Sequence, residues 1–505
     1  MHRSRQLVAS LAIAAVATLV AATTAAADSD LNGDGRDDLV VGLPDEAIAQ
    51  VDQAGVINVI RGSANGLTAR GDRLWDQADL SGTVEANDRF GNAIAYGDFD
   101  GDGRDDVAIG APTEAWNGQR NAGVVHVIYG SSGLTRSRRQ IISQSGAMAG
   151  KNEDGDFFGA VLAAGDFDDD GRDDLAIGAP GEDVRGAVAS GAVGIVFGAS
   201  GGLNVNDSMF FSQRGKVPGG AKDGDAFGAA LTVGDFNGDN HDDLAIGIPG
   251  KDRPTTDAGA VVVLYGRNSG INRAGAMFNQ GSIGLDSSGT EDWFGYSLAA
   301  GDFDNDGDDD LAVGIRFDDT AGTDAGAVAI LSGGDNGVSS TGAYQIVRSG
   351  AAGAAAAGDE FGYSLAAADL VGGGADDLVI GAPRVDIGGA VDTGAVYVLT
   401  GSNARRLSTD FVTFVGQGPL NKASDETGDR LGESLRTGDF NGDRHEDLVV
   451  SSPFEDVGSK TDSGVIYVVY SDGTVLDFST SRRFHQGTSG IRGTAEADDK
   501  FGTGL

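Results

Sequence analysis

Residues 98–106 read DFDGDGRDD, a nine-residue acidic pattern that recurs along the chain. Related copies start at Asp30, Asp166, Asp235, Asp302, Asp369 and Asp439, so the pattern returns about every 68 residues. Repetition at such an interval is typical of architectures that stack copies of one supersecondary unit. The sequence therefore predicts seven equivalent units.

Each unit contains the same landmarks in the same order. A Phe-Gly pair (Leu-Gly once) precedes the acidic loop, and a short apolar segment ending in Gly-Ala-Pro or a relative follows it, as at 110–112. A third apolar segment comes next, as at 123–130, and a weaker fourth segment such as 209–213 precedes the next unit. Four short segments joined by Gly- and Asp-rich turns predict a four-stranded β-blade. Beyond the first 27 residues, no segment shows sustained helical spacing of apolar residues.

The two ends of the repeat predict how it closes. The first unit has its acidic loop at Asp30 but no Phe-Gly pair before it, whereas Phe501-Gly502 has no loop after it. Every blade has one Phe-Gly strand and one acidic loop if the C-terminal strand pairs with the N-terminal blade. This pairing closes a ring and removes exposed sheet edges. An open solenoid would need polar capping units, which the sequence does not show. We therefore expect an all-β, seven-bladed β-propeller of four-stranded blades.

The acidic loop has the oxygen donors that calcium prefers, because calcium takes six to eight hard oxygen ligands at flexible distances. In the copy at 98–106, side-chain oxygens stand at positions 1, 3, 5 and 9, and the carbonyl of Arg104 at position 7 adds another. The loop resembles the start of an EF-hand, but its twelfth position is Ile109 and no helices flank it. Magnesium is disfavoured because it demands a stricter octahedron and keeps its waters. The pattern predicts a calcium loop within a β-hairpin.

Six copies keep the full donor set, so we expect about six structural calcium ions. The predicted ligands, including the residue that supplies the carbonyl at position 7, are Asp30, Asn32, Asp34, Arg36 and Asp38; Asp98, Asp100, Asp102, Arg104 and Asp106; Asp166, Asp168, Asp170, Arg172 and Asp174; Asp235, Asn237, Asp239, His241 and Asp243; Asp302, Asp304, Asp306, Asp308 and Asp310; and Asp439, Asn441, Asp443, His445 and Asp447. The copy from Asp369 has Val371 and Gly373 at positions 3 and 5 and is predicted to hold no ion.

The order Phe-Gly, acidic loop, Gly-Ala-Pro resembles the FG-GAP repeat, and over residues 28–505 the chain is similar to the seven-bladed propeller of integrin α-subunits. This resemblance implies calcium-loaded hairpins on one face, ligand binding on the opposite face, and extracellular binding or adhesion. The same family includes fungal lectins and propellers attached to enzymes, among them the glycosylphosphatidylinositol-specific phospholipase D group.

Residues 1–27 have the features of a secretion signal: two arginines, the apolar run 7–20 and small residues at 25–27. We therefore expect a secreted, extracellular propeller domain at 28–505, monomeric and without a membrane span. The absence of cysteine excludes disulfides. The formal net charge of −40 excludes general electrostatic attraction to nucleic acid or to anionic membranes.

The loops after Gly-Ala-Pro differ between units and are the predicted binding loops, because variable loops on a rigid scaffold carry function. The candidate ligand-binding residues are Glu114, Trp116, Asn117, Arg120 and Trp293. Either tryptophan is alternatively a packing residue between blades. An Asp two residues before each Phe-Gly position recurs in all seven units, which favours a structural turn hydrogen bond.

No catalytic constellation is recognisable, since Gly-x-Ser-x-Gly, phosphate-binding and HExxH motifs are absent from the sequence. The sequence therefore predicts a non-enzymatic, calcium-binding adhesion module for a protein or polysaccharide ligand. The alternative is a lectin or a carbohydrate-active enzyme, a lyase or hydrolase, on the same scaffold, because carboxylate pairs are abundant.

Overall fold

A computed structural model of the chain describes residues 29–132, 135–145, 150–253, 255–285, 289–348, 355–403, 406–408, 412–420 and 425–505. The predicted signal segment 1–27 lies outside these residues. Within them, 27 strands form seven antiparallel sheets, and helix is confined to two short 3-10 turns, Ala78–Leu80 and Phe478–Thr480. The predicted all-β, seven-bladed propeller is confirmed.

Each sheet is one blade, numbered here in chain order. Blade 1 contains β1 (Leu39–Leu43), β2 (Val56–Arg61) and β3 (Thr68–Trp75). Blade 2 contains β4 (Ala93–Gly97), β5 (Asp106–Ala111), β6 (Val124–Ile128) and β7 (Arg139–Ile142). Blade 3 contains β8 (Val161–Gly165), β9 (Asp174–Ala179), β10 (Ala192–Phe197) and β11 (Asn204–Phe211). Blade 4 contains β12 (Ala230–Gly234), β13 (Asp243–Ile248), β14 (Ala260–Tyr265) and β15 (Asn272–Phe278). Blade 5 contains β16 (Phe294–Gly301), β17 (Asp310–Ile315), β18 (Ala327–Leu331) and β19 (Tyr344–Val347). Blade 6 contains β20 (Ser364–Ala368), β21 (Asp377–Ala382), β22 (Ala395–Leu399) and β23 (Val412–Val415). Blade 7 contains β24 (Leu435–Gly438), β25 (Asp447–Ser452), β26 (Val465–Val469) and β27 (Arg482–Phe484).

The blades surround a common axis. Their first strands contact one another in sequence, as β4 with β8 and β8 with β12, and therefore line the centre. Second and third strands such as β5 and β6 are buried throughout, whereas fourth strands such as β11 are partly exposed. The core fills the spaces between neighbouring blades, where Phe167 and Ile195 of blade 3 share a cluster with Leu231 and Ile246 of blade 4.

The C-terminal segment completes blade 1. Gly42 of β1 donates its N–H to the carbonyl of Gly504 at 2.8 Å, in the antiparallel pairing that joins Gly110 to Ala93 in blade 2. Phe501 and Leu505 are buried in the apolar cluster between blades 7 and 1. The predicted closure of the ring is confirmed.

Within the described part of the chain, no helix is long and apolar enough to cross a membrane.

Candidate metal sites and the opposite face

In blades 2 to 7 the acidic loop joins the first and second strands of the blade, and in blade 1 it precedes β1, which pairs with the C-terminal segment. All seven loops therefore lie on one face of the ring. In blade 2 the loop follows Gly97 at the end of β4, and its ninth residue, Asp106, begins β5. The positions before Phe-Gly and after Gly-Ala-Pro lie at the other ends of these strands. They form the opposite face.

The first carboxylate closes the loop on itself. Oδ1 of Asp98 accepts the backbone N–H of Asp102 at 3.0 Å, and Oδ2 accepts that of Gly103 at 2.8 Å. Gly101 and Gly103 have φ of 69° and 81°, the left-handed region in which glycine is favoured. The corresponding carboxylates of Asp30, Asp166, Asp235, Asp302 and Asp439 accept the same pair of N–H groups.

The ninth carboxylate ties the loop to the blade and turns one oxygen inward. Oδ1 of Asp106 accepts the N–H of Gly130 at 2.7 Å, beyond the end of β6. Its Oδ2 is buried and accepts no hydrogen bond, and the same holds for Oδ1 of Asp100 and Oδ1 of Asp168. Buried oxygens without a donor are costly unless a cation satisfies them.

Three loops bring carboxylate oxygens within 4.8 Å of one another, and the residues of these sets are Asp98, Asp100 and Asp106; Asp166, Asp168 and Asp174; and Asp302, Asp304 and Asp306. All donors are hard oxygens, which suits calcium. The acidic clusters therefore fit a divalent cation.

Three other loops use asparagine at position 3. The amides of Asn32, Asn237 and Asn441 donate to the ninth carboxylate at 2.8, 2.9 and 3.4 Å. The amide group thus lies beside the ninth carboxylate, and rotating it by half a turn would exchange its nitrogen for a ligand oxygen.

The loop of blade 6 is arranged differently. Both oxygens of Asp377 are satisfied by the backbone, since Oδ1 accepts from Gly401 at 2.9 Å and Oδ2 accepts from Leu370 and Val371 at 3.0 and 2.8 Å. The N–H of Val371 occupies the side of the carboxylate that faces the ion position in the other loops. This geometry agrees with the prediction that this copy holds no ion.

In several blades, the side chain at position 7 of the acidic loop extends over the loop of a neighbouring blade. A Cβ placed on Gly33 would lie 2.9 Å from Nε of Arg104, so this side chain covers the loop of blade 1. Arg172 covers Gly101 and Arg36 covers Gly442 in the same way. His241 instead turns back, with Nδ1 3.1 Å from Oδ1 of Asp239. Neighbouring loops are therefore packed against one another.

A functional position that the sequence reasoning missed is the eighth loop residue. Oδ2 of Asp173 accepts the N–H of Asp98 in the preceding loop at 2.8 Å. The equivalent bonds from Asp30, Asp166, Asp235, Asp302 and Asp439 end on Asp105, Asp242, Asp309, Asp376 and Asp37. The acidic doublet that ends every loop was the available signal. These bonds link the loops into a circumferential belt.

Burial changes the protonation of the ninth carboxyl. Desolvation, reinforced by neighbouring loop carboxylates, raises the pKa of Asp106, Asp174, Asp243, Asp310 and Asp447 to about 8 and that of Asp38 to about 7. A cation must therefore displace these protons when it binds near neutral pH.

On the opposite face, the Asp before each Phe-Gly position makes the expected turn hydrogen bond. Asp88 accepts the N–H of Glu85 at 2.8 Å, three residues earlier. The same bond is made by Asp156, Asp225, Asp292, Asp359, Asp429 and Asp499. The structural role predicted for these residues is confirmed.

The predicted ligand-binding residues lie in three different environments. Glu114 is buried and accepts a hydrogen bond from Gln77. Trp116 is half-buried and donates Nε1–H to Ser145 at 3.2 Å, while Asn117 and Arg120 are exposed at the tip of that hairpin in blade 2. Trp293 belongs to blade 5, where its ring centroid lies 4.9 Å from that of Phe317. The structure therefore does not bring Trp293 together with the blade 2 hairpin.

The residue directly before Phe-Gly has a left-handed backbone in every unit. Arg89, Phe157, Ala226, Trp293, Glu360, Arg430 and Lys500 have φ between 52° and 59°. Each donates its N–H to a carbonyl of the preceding blade, as Arg89 does to Gln53 at 3.0 Å. These hydrogen bonds hold a strained conformation at seven equivalent positions on the opposite face, which carry six different residue types. We call these seven residues the rim.

Arg316 replaces the proline of Gly-Ala-Pro in blade 5 and is buried against residues of blades 5 and 6. Its guanidinium lies 4.7 Å from the ring centroids of both Tyr296 and Tyr363, and it pairs with Glu360 at 3.0 Å. Aromatic faces and a carboxylate together stabilise this buried cation.

Comparison with known proteins finds the same repeat in this chain. Five segments match the family model described as FG-GAP repeat, at residues 90–128, 158–196, 227–264, 294–331 and 431–469. The chain is 35% identical over 173 residues to phosphatidylinositol-glycan-specific phospholipase D of Rattus norvegicus, covering 34% of this chain and 20% of that protein. It is 32% identical over 244 residues to integrin alpha pat-2 of Caenorhabditis briggsae, covering 45% and 18%.

Each of these matches thus spans about a fifth of the relative's length. Among solved structures, rhamnogalacturonan lyase YesW superposes with a TM-score of 0.36 at 12% identity, covering 93% of this chain and 84% of that chain. A superposition this loose carries no functional information. The relatives include both an enzyme and integrin subunits. The chain therefore contains FG-GAP repeats, and its seven-bladed propeller resembles that of the integrin α-subunits.

Proposed function

We propose that this protein is a secreted adhesion module that binds an extracellular protein or polysaccharide through the face opposite the acidic loops. In this proposal, residues 1–27 direct secretion and residues 28–505 are the binding domain. About six calcium ions in the loops make the ring rigid in place of disulfides. The main support for this proposal is the difference between the two faces. One face repeats the same acidic loop, whereas the other has a repeated backbone with side chains that differ between blades.

The rim residues show this difference between the two faces. Its backbone is the same in all seven units, yet its side chains include cations, aromatic rings, an acid and an alanine. In an acidic protein, Arg430 and Lys500 lie together here, with their charged groups 4.4 and 5.3 Å from the ring centroid of Phe454. Lys500 and Arg89 share Asp45 at 2.8 and 2.9 Å. Such mixed charged and aromatic surfaces suit a polar ligand.

The experiment is to probe glycan arrays and a panel of extracellular proteins with the calcium-loaded protein, and to repeat the positive assays with Arg430→Ala/Lys500→Ala. Binding that this variant weakens at least about tenfold, a change of about 1.4 kcal/mol, would support the proposal. Arg214→Ala/Lys216→Ala is the matched control, because it removes the same charge from exposed positions beyond the outer strand of blade 3.

The carbohydrate-active alternative is tested in the same assays. Polysaccharides that bind are incubated with the protein, and new reducing ends or unsaturated sugars are measured. Turnover of any of them would contradict a pure adhesion role. Binding that is equally weakened by the control variant would contradict the assignment to the rim.

A further inference from the structure

A second set of acids recurs on the face opposite the loops, and all of them are buried except Glu46 and Glu182, which are half-buried. In blade 2 it consists of Asp88 and Glu114, and Gln77 at the end of blade 1 donates a hydrogen bond to Glu114. All three side chains are at most 2% exposed. The same arrangement occurs at five blade junctions, with the members Gln77, Asp88 and Glu114; Gln144, Asp156 and Glu182; Gln280, Asp292 and Asp318; Gln417, Asp429 and Glu455; and Gln486, Asp499 and Glu46. We call these the five acid pairs.

The two carboxyl groups of each pair are neighbours. Burial, followed by the charge of Asp88, raises the pKa of Glu114 to about 8, and burial followed by the charge of Asp499 raises that of Glu46 to about 8. Two buried carboxylates this close cannot both stay charged without a balancing cation.

The sixth junction shows what balances the charge. In blade 4, Lys251 takes the place of the Glu and is fully buried. Its Nζ contacts Oε1 of Gln213 at 2.8 Å, Oδ2 of Asp225 at 2.6 Å and the carbonyl of Gly220 at 2.5 Å. A cation therefore sits among the oxygens of the same Gln and Asp positions, supplied by the chain itself.

The seventh junction also contains a cation from the chain, at a different position. At blade 6 the Gln is replaced by Arg348, which pairs with the buried Asp359, and the Glu is replaced by Val385. Where the second acid is absent, the chain supplies one positive charge for one carboxylate. Both junctions are thus neutral, whereas an acid pair with two ionised carboxylates needs two positive charges. At the pair of Asp429 and Glu455, Arg483 supplies one of them, 2.9 Å from Oε1 of Glu455.

The glutamines provide an independent indication. In all five acid pairs the Gln side chain is at most 3% exposed, and its Oε1 makes no hydrogen bond. In the lysine junction the same amide is turned over, so that Oε1 faces the ammonium and Nε2 donates to the carbonyl of Pro218 at 3.1 Å. Turning the other five amides in the same way would aim an unpartnered oxygen at the acid pair.

We propose that the five acid pairs each bind a divalent cation, through the two carboxylates and the Gln amide oxygen, and so form a second ring of cation sites on the face opposite the acidic loops. Oxygen donors select calcium, magnesium or manganese over softer metals. Each ion connects the end of one blade to the next, because Gln and the acids come from neighbouring blades. The sites add to the loop sites and are independent of the ligand of the rim.

The test counts bound metal per chain by elemental analysis after dialysis against calcium and magnesium. Glu114→Lys/Glu182→Lys copies the lysine junction at two acid pairs, and we expect two ions fewer than in the parent. Lys251→Glu creates a sixth acid pair, and we expect one ion more. Asp52→Lys is the control, since it makes an acid-to-lysine change at an exposed residue outside the acid pairs and is expected to leave the count unchanged.

One variant is expected to lose ions and the other to gain one, so the two test the proposal independently. Folding is checked by near-ultraviolet circular dichroism, and if one variant does not fold, the other still tests the proposal. A folded variant whose metal count equals that of the parent would show that the pairs hold protons only and would overturn the proposal.

Discussion

At the scale of single residues, the acidic loops contain two kinds of aspartate with different roles. Asp98 and Asp106 shape the loop and are two of its predicted ligands, and both were singled out from local spacing in the sequence. Asp173 instead bonds to a loop 75 residues away in the chain, which no local spacing reveals. Its role became visible only when the ring placed consecutive loops side by side.

The belt between loops predicts a stability effect for Asp173. Replacing it with Ala leaves the N–H of Asp98 without its acceptor, so we expect the free energy of unfolding to fall by about 1.5–3 kcal/mol. Chemical denaturation in calcium measures this change. Asp207→Ala, at an exposed position of the same blade, should change stability by less than about 0.5 kcal/mol. Equal effects of the two substitutions would contradict the belt.

The ninth loop carboxyls predict how calcium acts at different pH. Their folded pKa values near 8 lie above the value of an unfolded Asp, so in metal-free protein their contribution to stability is present at low pH and is lost as pH rises through about 8. Calcium compensates the buried negative charge, whose desolvation and repulsion by neighbouring carboxylates cause this loss. We therefore expect the increase in melting temperature caused by calcium to be larger at pH 8 than at pH 5, measured by calorimetry. A larger increase at pH 5 would contradict this sign.

At the scale of elements, one loop differs from its siblings for a visible reason. Position 9 of the blade 6 loop bonds to the N–H of Val371, while the equivalent oxygen of Asp106 accepts no hydrogen bond. The sequence predicted this difference from two lost side-chain oxygens. The geometry adds that the backbone of the loop takes over the position facing the ion.

This difference predicts unequal results for the same substitution in two loops. Asp98→Ala removes a ligand and the loop closure, so we expect about one bound calcium ion fewer per chain by elemental analysis. Asp369→Ala makes the same change in blade 6, and we expect the count to stay at the parent value. Loss of an ion from the Asp369→Ala protein would contradict the assignment of that loop.

The elements also show what sequence reasoning did not resolve. Gln occurs shortly after the fourth strand in six units. In the five acid pairs, the acid that accepts its hydrogen bond follows 37 or 38 residues later, except for Gln486, whose partner Glu46 lies near the other end of the chain. The interval is regular, but only strand order shows that it brings these side chains into contact across two blades. The candidates Trp116 and Trp293 were likewise assigned to one face correctly, although the blades that carry them are not neighbours.

At the scale of the whole molecule, the ring depends on its last residues. Deleting 501–505 removes the pairing with Gly42 and the buried side chains of Phe501 and Leu505. We expect the free energy of unfolding to fall by roughly 5 kcal/mol or more, because one large buried side chain alone contributes about 2–5 kcal/mol. Thermal denaturation measures the loss. Val475→Ala, at an exposed apolar residue, is the control, and a deletion variant that melts with the parent would refute the closure.

The fold as a whole was predictable because every unit repeats its landmarks in register, so seven weak signals reinforce one another. The ligand was not predictable, because the rim residues that we propose to face it differ from unit to unit. Their chemistry follows no repeat, and their common strained backbone emerges only from the contacts between blades.

The most direct test of the account is the melting temperature of the protein in calcium and in excess chelator. Each occupied site contributes about 2.7 kcal/mol when the free ion is at a hundred times its dissociation constant. Several such sites should therefore lower the melting temperature by at least about 10 °C when the metal is removed. Coincident melting curves would contradict the central claim that bound cations hold this ring together.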